Sequence, residues 1–244
     1  MLRLEIRSFS REELRRFLTD ALSSLTEDEA LAVLENPYVT PAMLQQMAQS
    51  PRLTGFYSVR LRLVAHRQTP QQHATKLVHY LYWTDLVRLS TDVKISAQVR
   101  RAMENLLLNR VEELTLGEKV ESARRCSHAL IKVLLFDPDP KVFAALLINP
   151  RLREDDLVHL ASSPRATAEK LALLASDGKW SFRYAIRKAL VMNPVTPRSA
   201  AVAQLRHLTP KDLRMIRSHP ATSLYLRRCI ERLAEEGPVR VGRS

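Results

Sequence analysis

Three Tyr-x-x-Arg groups are the residues of this chain best suited to recognition chemistry: Tyr57 with Arg60, Tyr184 with Arg187, and Tyr225 with Arg228. Residues three apart share a helix face, so each group sets a phenol ring beside a guanidinium. Arg62, Arg183, Lys188 and Arg227 lie close to them in sequence, and Arg100 and Arg101 follow Val99 of the same recurring series. If the helices are equivalent, these residues form one aromatic and cationic row. A guanidinium grips phosphate or carboxylate by two parallel hydrogen bonds and stacks on aromatic rings. The row suits an anionic partner, either a protein with an acidic surface or nucleic acid.

Other candidates for chemistry are thin. Cys126-Ser127-His128 is the only close Cys/His pair, and no further ligands are spaced to complete a metal site. Glu27-Asp28-Glu29 and Glu154-Asp155-Asp156 could be read as paired carboxylates. Both are expected in the first turn of a helix, where negative charge favours the dipole. There is no phosphate-cradling glycine loop, dinucleotide fingerprint, HExxH pair or nucleophile elbow. The expectation is a non-enzymatic protein without a cofactor. Trp83 and Trp180 are expected in the core.

The charge balance points the same way as the row. Formal net charge is +12 and the isoelectric point is about 10.1, which favours polyanions as partners. Two cysteines, Cys126 and Cys229, are too few for a disulfide framework and fit free thiols in a reducing, cytoplasmic setting. Residues 1–10 carry Arg3, Glu5 and Arg7 with no apolar run, so no signal peptide is expected. No apolar stretch is long enough for a membrane span; the nearest, Ala129–Phe136, is short and holds Lys132.

The elements that must position the row come from a recurring frame. Asn36-Pro37 leads to Thr40-Pro41, then Leu44, Met47, Ala48 and Pro51. Thr40 can cap a helix, Pro41 fits its first position, and Pro51 stops it. Asn149-Pro150 opens the frame again with Leu157, Leu160, Ala161 and Pro164. Thr209-Pro210 does so with Leu213, Ile216 and Pro220, and Thr167 with Leu171, Leu174 and Ala175. Thr196-Pro197 is expected to cap in the same way. A short helix with one apolar stripe cannot bury it alone and must stack on its copies.

Taken in order, residues 1–8 alternate Leu2, Leu4 and Ile6 with charges, a weak extended signal. Capping boxes at Ser10–Glu13 and Thr26–Glu29 open the first helices. Helices are expected from Thr40, over 56–66, from Thr69-Pro70 as far as Leu89, over 95–109, and over 114–136 as one or two pieces. Asp137-Pro138-Asp139-Pro140 is a turn and the softest internal boundary. Seven more helices are expected over 141–148, 154–161, 167–176, 181–192, 196–205, 209–217 and 222–236. Residues 237–244 have no periodicity and are expected to be disordered. Val59-Arg60, Val99-Arg100, Val142 and Ile186-Arg187 recur at a spacing of roughly forty residues, two helices to a unit. The fold expected is all-α: a single right-handed α-solenoid of stacked helical hairpins over 1–236. Oligomeric state is not legible.

The phrases Val59-Arg60…Val64-Ala65-His66-Arg67-Gln68-Thr69-Pro70 and Ile186-Arg187…Met192-Asn193-Pro194-Val195-Thr196-Pro197 resemble the leucine-rich-repeat-variant pattern, within the HEAT-like class. That resemblance covers most of 26–236 in degraded form. It implies an α-solenoid used for macromolecular recognition. Some members of that group carry an iron–sulfur cluster on an N-terminal cysteine group, which this chain lacks. In HEAT-like repeats an Arg after the valine often pairs with an Asp of the preceding turn, forming an internal ladder. Asp92 before Arg100 and Asp177 before Arg183 suit that role, so the row can face a ligand or be structural. Trp83-Thr84-Asp85-Leu86-Val87-Arg88 is similar to a Trp-Asp-Leu-Val-Asp run of HEAT-like alkylpurine DNA glycosylases, whose last Asp is catalytic. Here Arg88 stands at that place, and an enzyme of this kind would have to rely on Asp85. The leading expectation is a scaffold for an acidic protein partner. The alternatives are sequence-independent nucleic-acid binding and, third, a glycosylase.

Overall fold

Proline and threonine punctuation divides the chain into short helices. The computed structural model describes residues 2–235, and all regular structure among them is helical. The tail over 237–244, expected to be disordered, lies outside the described residues.

The chain divides into two compact units, Met1–Glu118 with Arg125–Leu130, and Lys119–Arg124 with Ile131–Ser244. Its helices are, in order, α1 (Leu2–Ser8), α2 (Arg11–Ala21), α3 (Glu27–Glu35), α4 (Pro41–Gln49), α5 (Pro51–Gly55), α6 (Tyr57–Ala65), α7 (Gln71–Val78), α8 (Trp83–Ser90) and α9 (Ala97–Arg110). A 3-10 turn at Val111–Glu113 precedes α10 (Leu116–Ala123) and α11 (His128–Leu134). Then come α12 (Pro140–Leu147), α13 (Glu154–Ser162), α14 (Ala168–Ser176), α15 (Tyr184–Met192), α16 (Arg198–Leu205), α17 (Pro210–Ser218) and α18 (Leu224–Glu235).

The caps explain the helix starts. Thr40 accepts from the Met43 N–H, Thr167 from Lys170 and Thr209 from Asp212. Pro41 and Pro210 fill the first helical positions, where a missing N–H costs nothing. Ser10 and Thr26 form the two capping boxes. The acidic groups Glu27-Asp28-Glu29 and Glu154-Asp155-Asp156 occupy the first turns of α3 and α13. Thr196 is no cap: α16 starts after Pro197, and the buried Thr196 hydroxyl has no hydrogen-bond partner. At the matching position Thr69 turns back to donate to the Leu63 carbonyl at 2.6 Å.

Two other expectations need correction. Residues 2–8 are helical, because Ile6 is fully buried and the backbone is drawn in by Asn36, whose amide donates to the Ile6 and Phe9 carbonyls. The helix from Thr69-Pro70 does not reach Leu89 but breaks after Val78 and restarts at Trp83. Of the two alternatives for 114–136, the structure has two helices, α10 and α11.

Apolar stripes close the units. Leu44, Met47, Leu53, Val59 and Leu63 are fully buried in the first unit. Leu157, Leu160, Ala161, Leu171, Leu174, Ile186 and Leu190 are fully buried in the second. Within the first, α3 packs on α1 and α6, and α9 on α7 and α8. Within the second, α12 packs on α14, α14 on α16, α16 on α18, and α13 on α15. Trp180 is buried and its indole N–H donates to the Leu147 carbonyl at 3.1 Å; Trp83 is half-buried.

Buried asparagines link these packed helices. Asn193 donates to the Ala161 and Ser163 carbonyls at the C-terminal end of α13, at 2.7 and 3.2 Å, and accepts from the Val195 N–H at 2.9 Å. Asn36 acts on Ile6 and Phe9 and accepts from Tyr38. Asn149 donates to the Ala123 carbonyl and accepts from Arg151. Each satisfies backbone groups that would otherwise be buried unpaired.

Candidate functional site

The row begins on α6. Tyr57 is the first residue of that helix and Arg60 lies one turn on, half-buried. The guanidinium carbon of Arg60 stands 5.5 Å from the Tyr57 ring centre and 5.9 Å from that of Tyr80. Tyr57 and Tyr82 pack with ring centres 4.3 Å apart and a 34° tilt. The Tyr57 hydroxyl accepts from the Tyr82 N–H at 3.1 Å and donates to the Asp85 carboxylate. The other Asp85 oxygen accepts from Arg88 at 2.7 Å. Burial, then the bond to Asp85, pushes the Tyr57 phenol up to about 12. This hydroxyl also explains the break between α7 and α8. It satisfies the N–H of the residue that caps α8, so the chain can turn there without glycine or proline.

The second unit repeats part of this construction on α15. The Tyr184 hydroxyl accepts from the Thr209 N–H at 3.1 Å and donates to Asp212. Lys188 pairs with Asp212 at 2.9 Å. The Tyr184 and Lys188 hydrogen bonds hold the Asp212 carboxyl down at about 2. Thr209 takes the place of Tyr82, and His207 that of Tyr80. The His207 imidazole is lowered, first by burial and then by Arg187 and Arg206.

The arginines differ in what they hold. The Arg187 Nε donates to the Ser181 carbonyl at 2.8 Å, and the head lies over Phe182 at 5.5 Å. The Arg100 Nε donates to the Ile95 carbonyl at 3.2 Å. Arg227 donates from Nη2 to the His219 carbonyl at 3.1 Å and makes a longer contact to Pro220. The Arg60 side chain makes no hydrogen bond and no ion pair among the described residues, and its Nε is buried. Thr54, in the place of Ser181, lies inside α5, whose carbonyls run along that helix. The acceptor used elsewhere is therefore missing at Arg60.

The remaining row residues are separated by role. Arg62 and Arg183 are exposed and sit 3.9 Å from Glu35 and Glu154. Arg101 and Arg228 are exposed and have no ion pair among the described residues. Tyr225 and Arg228 are out of step with the other groups. Leu226 is buried near the start of α18 as Ile186 is in α15, so Arg227, not Arg228, matches Arg187, and Arg198 lies over the Tyr225 ring instead. The Asp–Arg ladder is not formed by the residues named for it. Asp92 accepts from the Lys94 N–H and Asp177 from those of Lys179 and Trp180. Carbonyls take the place of Asp in holding the arginines.

Sequence reasoning passed over Tyr80, Tyr82 and Asp212. Tyr80 and Tyr82 are 66% and 65% exposed, high for large rings in a chain with six tyrosines. The signal was the repeat itself: the offset from Tyr57 to Asp85 equals that from Tyr184 to Asp212. Among the described residues no group of three or more His, Cys, Asp or Glu side chains is arranged to hold a metal ion. No described helix is long and apolar enough to cross a membrane. No protein-family model, curated protein or solved structure matches this chain.

Proposed function

We propose that this chain is a non-enzymatic binding scaffold, a right-handed α-solenoid of HEAT-like helical hairpins akin to the leucine-rich-repeat variants, that recognises an acidic macromolecule. The solenoid reading is supported by helices that pack on the second helix along, by asparagine hooks at Asn149 and Asn193 one repeat spacing apart, and by Tyr–Asp bonds about three such spacings apart. The binding reading is carried by one observation. The half-buried Arg60 guanidinium is flanked by tyrosine rings and has no acceptor among the described residues. A cation withdrawn from water without a partner is poised to take phosphate or carboxylate.

Of the two acidic partners, nucleic acid is favoured by the open Tyr80 ring beside that cation and the open Tyr82 ring packed on Tyr57, which match a base beside a phosphate. Recognition is sequence-independent, because neither a guanidinium–phosphate contact nor a ring face distinguishes bases. A glycosylase-type role for Asp85 is disfavoured by its bonds: one oxygen takes the Tyr57 hydroxyl and the other Arg88, leaving no free base. The test is a competition assay at low salt, with a labelled oligonucleotide on the protein and polyglutamate as competitor. Binding that polyglutamate displaces only weakly is expected. Absence of nucleic-acid binding, or release of a base from an alkylated oligonucleotide, overturns the reading.

A further inference from the structure

The two units carry the same Tyr–Asp construction with opposite outcomes, and this asymmetry locates a site. In the second unit every cation of the construction is engaged: Arg187 by the Ser181 carbonyl and the Phe182 ring, Lys188 by Asp212. Thr209 and His207 stand where the first unit has Tyr82 and Tyr80; the exposed rings there are Tyr184, whose hydroxyl is tied to Asp212, and Phe182, over which the Arg187 head lies. In the first unit the guanidinium lacks an acceptor among the described residues, the exposed Tyr80 ring stands beside it, and the exposed Tyr82 ring packs on Tyr57.

We propose that Tyr80, Tyr82 and Arg60, braced by Tyr57, form a stacking site for single-stranded nucleic acid. The proposal rests on the polyanion reading above and narrows it to unpaired strands. Tyr82 has one face against Tyr57, whose hydroxyl is tied to Asp85 and to the Tyr82 backbone. The ring is held on one side and open on the other, as a stacking platform requires. Arg60 lies within 6 Å of two of the three ring centres, near enough for its Nη donors to meet a phosphate next to a stacked base. Bases in a duplex have both faces covered by their neighbours, so only an unpaired base can use these rings. The second unit keeps the bracing bond but not the platform, and there the construction is structural.

The experiment uses the full chain and fluorescence anisotropy with labelled oligothymidylate, oligouridylate and a duplex of equal length. The wild type is expected to prefer both single strands to the duplex. Tyr80→Ala and Tyr82→Ala each weaken single-strand binding by on the order of tenfold and leave duplex binding nearly unchanged. Tyr82→Phe retains most of the affinity, and Tyr184→Ala has no effect. Quenching of tyrosine fluorescence by the single strands is lost in the double variant. Circular dichroism melts accompany each variant, and Tyr80→Trp, which keeps a ring face, should retain binding. Equal affinity for duplex and single strands, or normal binding by both alanine variants, overturns the platform while the polyanion reading stands. No binding of any oligonucleotide at low salt overturns both. Tighter binding of polyglutamate than of oligothymidylate assigns the site to an acidic peptide and overturns the proposal.

Discussion

Replacing Asn193 by alanine tests the repeat construction at one buried side chain. Asn193 is 8% exposed and makes three bonds: donations to the Ala161 and Ser163 carbonyls and acceptance from the Val195 N–H. Alanine leaves the Ala161 carbonyl and the Val195 N–H without partners, while the Ser163 carbonyl keeps its bond from the Ala166 N–H. An orphaned buried polar group costs about 1–3 kcal/mol. Some relief comes from water reaching the N–H of the exposed Val195. The expected loss is therefore about 2–4 kcal/mol, well beyond the roughly 0.5 kcal/mol of a neutral surface change. Urea denaturation followed by far-UV circular dichroism reads this as a lower midpoint at unchanged slope. Asn193→Asp sharpens the test. Its carboxylate keeps the bond from Val195 but faces two carbonyl oxygens. Its pKa is then raised in the folded state, so the stability lost at neutral pH should return as pH falls and the group protonates. A change under about 0.5 kcal/mol for Asn193→Ala, or an Asp variant indifferent to pH, would refute the hook.

Other expectations concern single groups. Thr40→Ala, Thr167→Ala and Thr209→Ala should each cost about 1 kcal/mol, and the costs at Thr40 and Thr209 should add. Thr196→Val should be neutral or stabilising, since its buried hydroxyl has no partner, whereas Thr69→Val loses its bond to Leu63; thermal melts separate them. Arg187→Ala should destabilise by about 1–2 kcal/mol through the lost Ser181 bond and leave oligonucleotide affinity per folded molecule intact, while Arg60→Ala should do the reverse. The Tyr57 phenol, raised from 10.0 to about 12, should ionise last in an absorbance titration. Its raised folded pKa contributes stability below pH 10 that is lost as pH climbs through 12; Asp85→Asn should bring the titration down. Asp212, depressed to about 2, contributes stability above its unfolded pKa that is lost as acid brings the pH through 2, and Tyr184→Phe should raise its pKa in an NMR titration.

Local chemistry was legible wherever a residue acts on its own segment. Thr40-Pro41 and Thr209-Pro210 fix helix starts by bonds three residues away, and the capping boxes at Ser10 and Thr26 do the same. Leu44, Met47, Leu157 and Leu160 announce their burial by helical spacing. What escaped depends on partners far along the chain. The break after Val78 carries no glycine or proline and is stabilised by a hydroxyl from Tyr57. The helix at 2–8 sits under an amide from Asn36. Thr196 looks like Thr209 in sequence, yet one is buried without a bond and the other caps. Of the candidate site, the tyrosine–arginine pairing at 57 and 60 could be read from spacing. The difference between Arg60 and Arg187 could not, because it rests on whether the preceding segment offers a carbonyl or curls into α5.

The salt dependence of oligonucleotide binding tests the central claim most directly. Each phosphate neutralised by a cation releases condensed counterion, so log affinity should fall with log salt at about −0.7 per contact on a single strand. A steep slope is expected for the wild type, lowered by about one contact's worth in Arg60→Ala and unchanged in Arg187→Ala. A flat response, or equal slopes for the wild type and Arg60→Ala, contradicts the assignment of Arg60 as the cation that meets the polyanion.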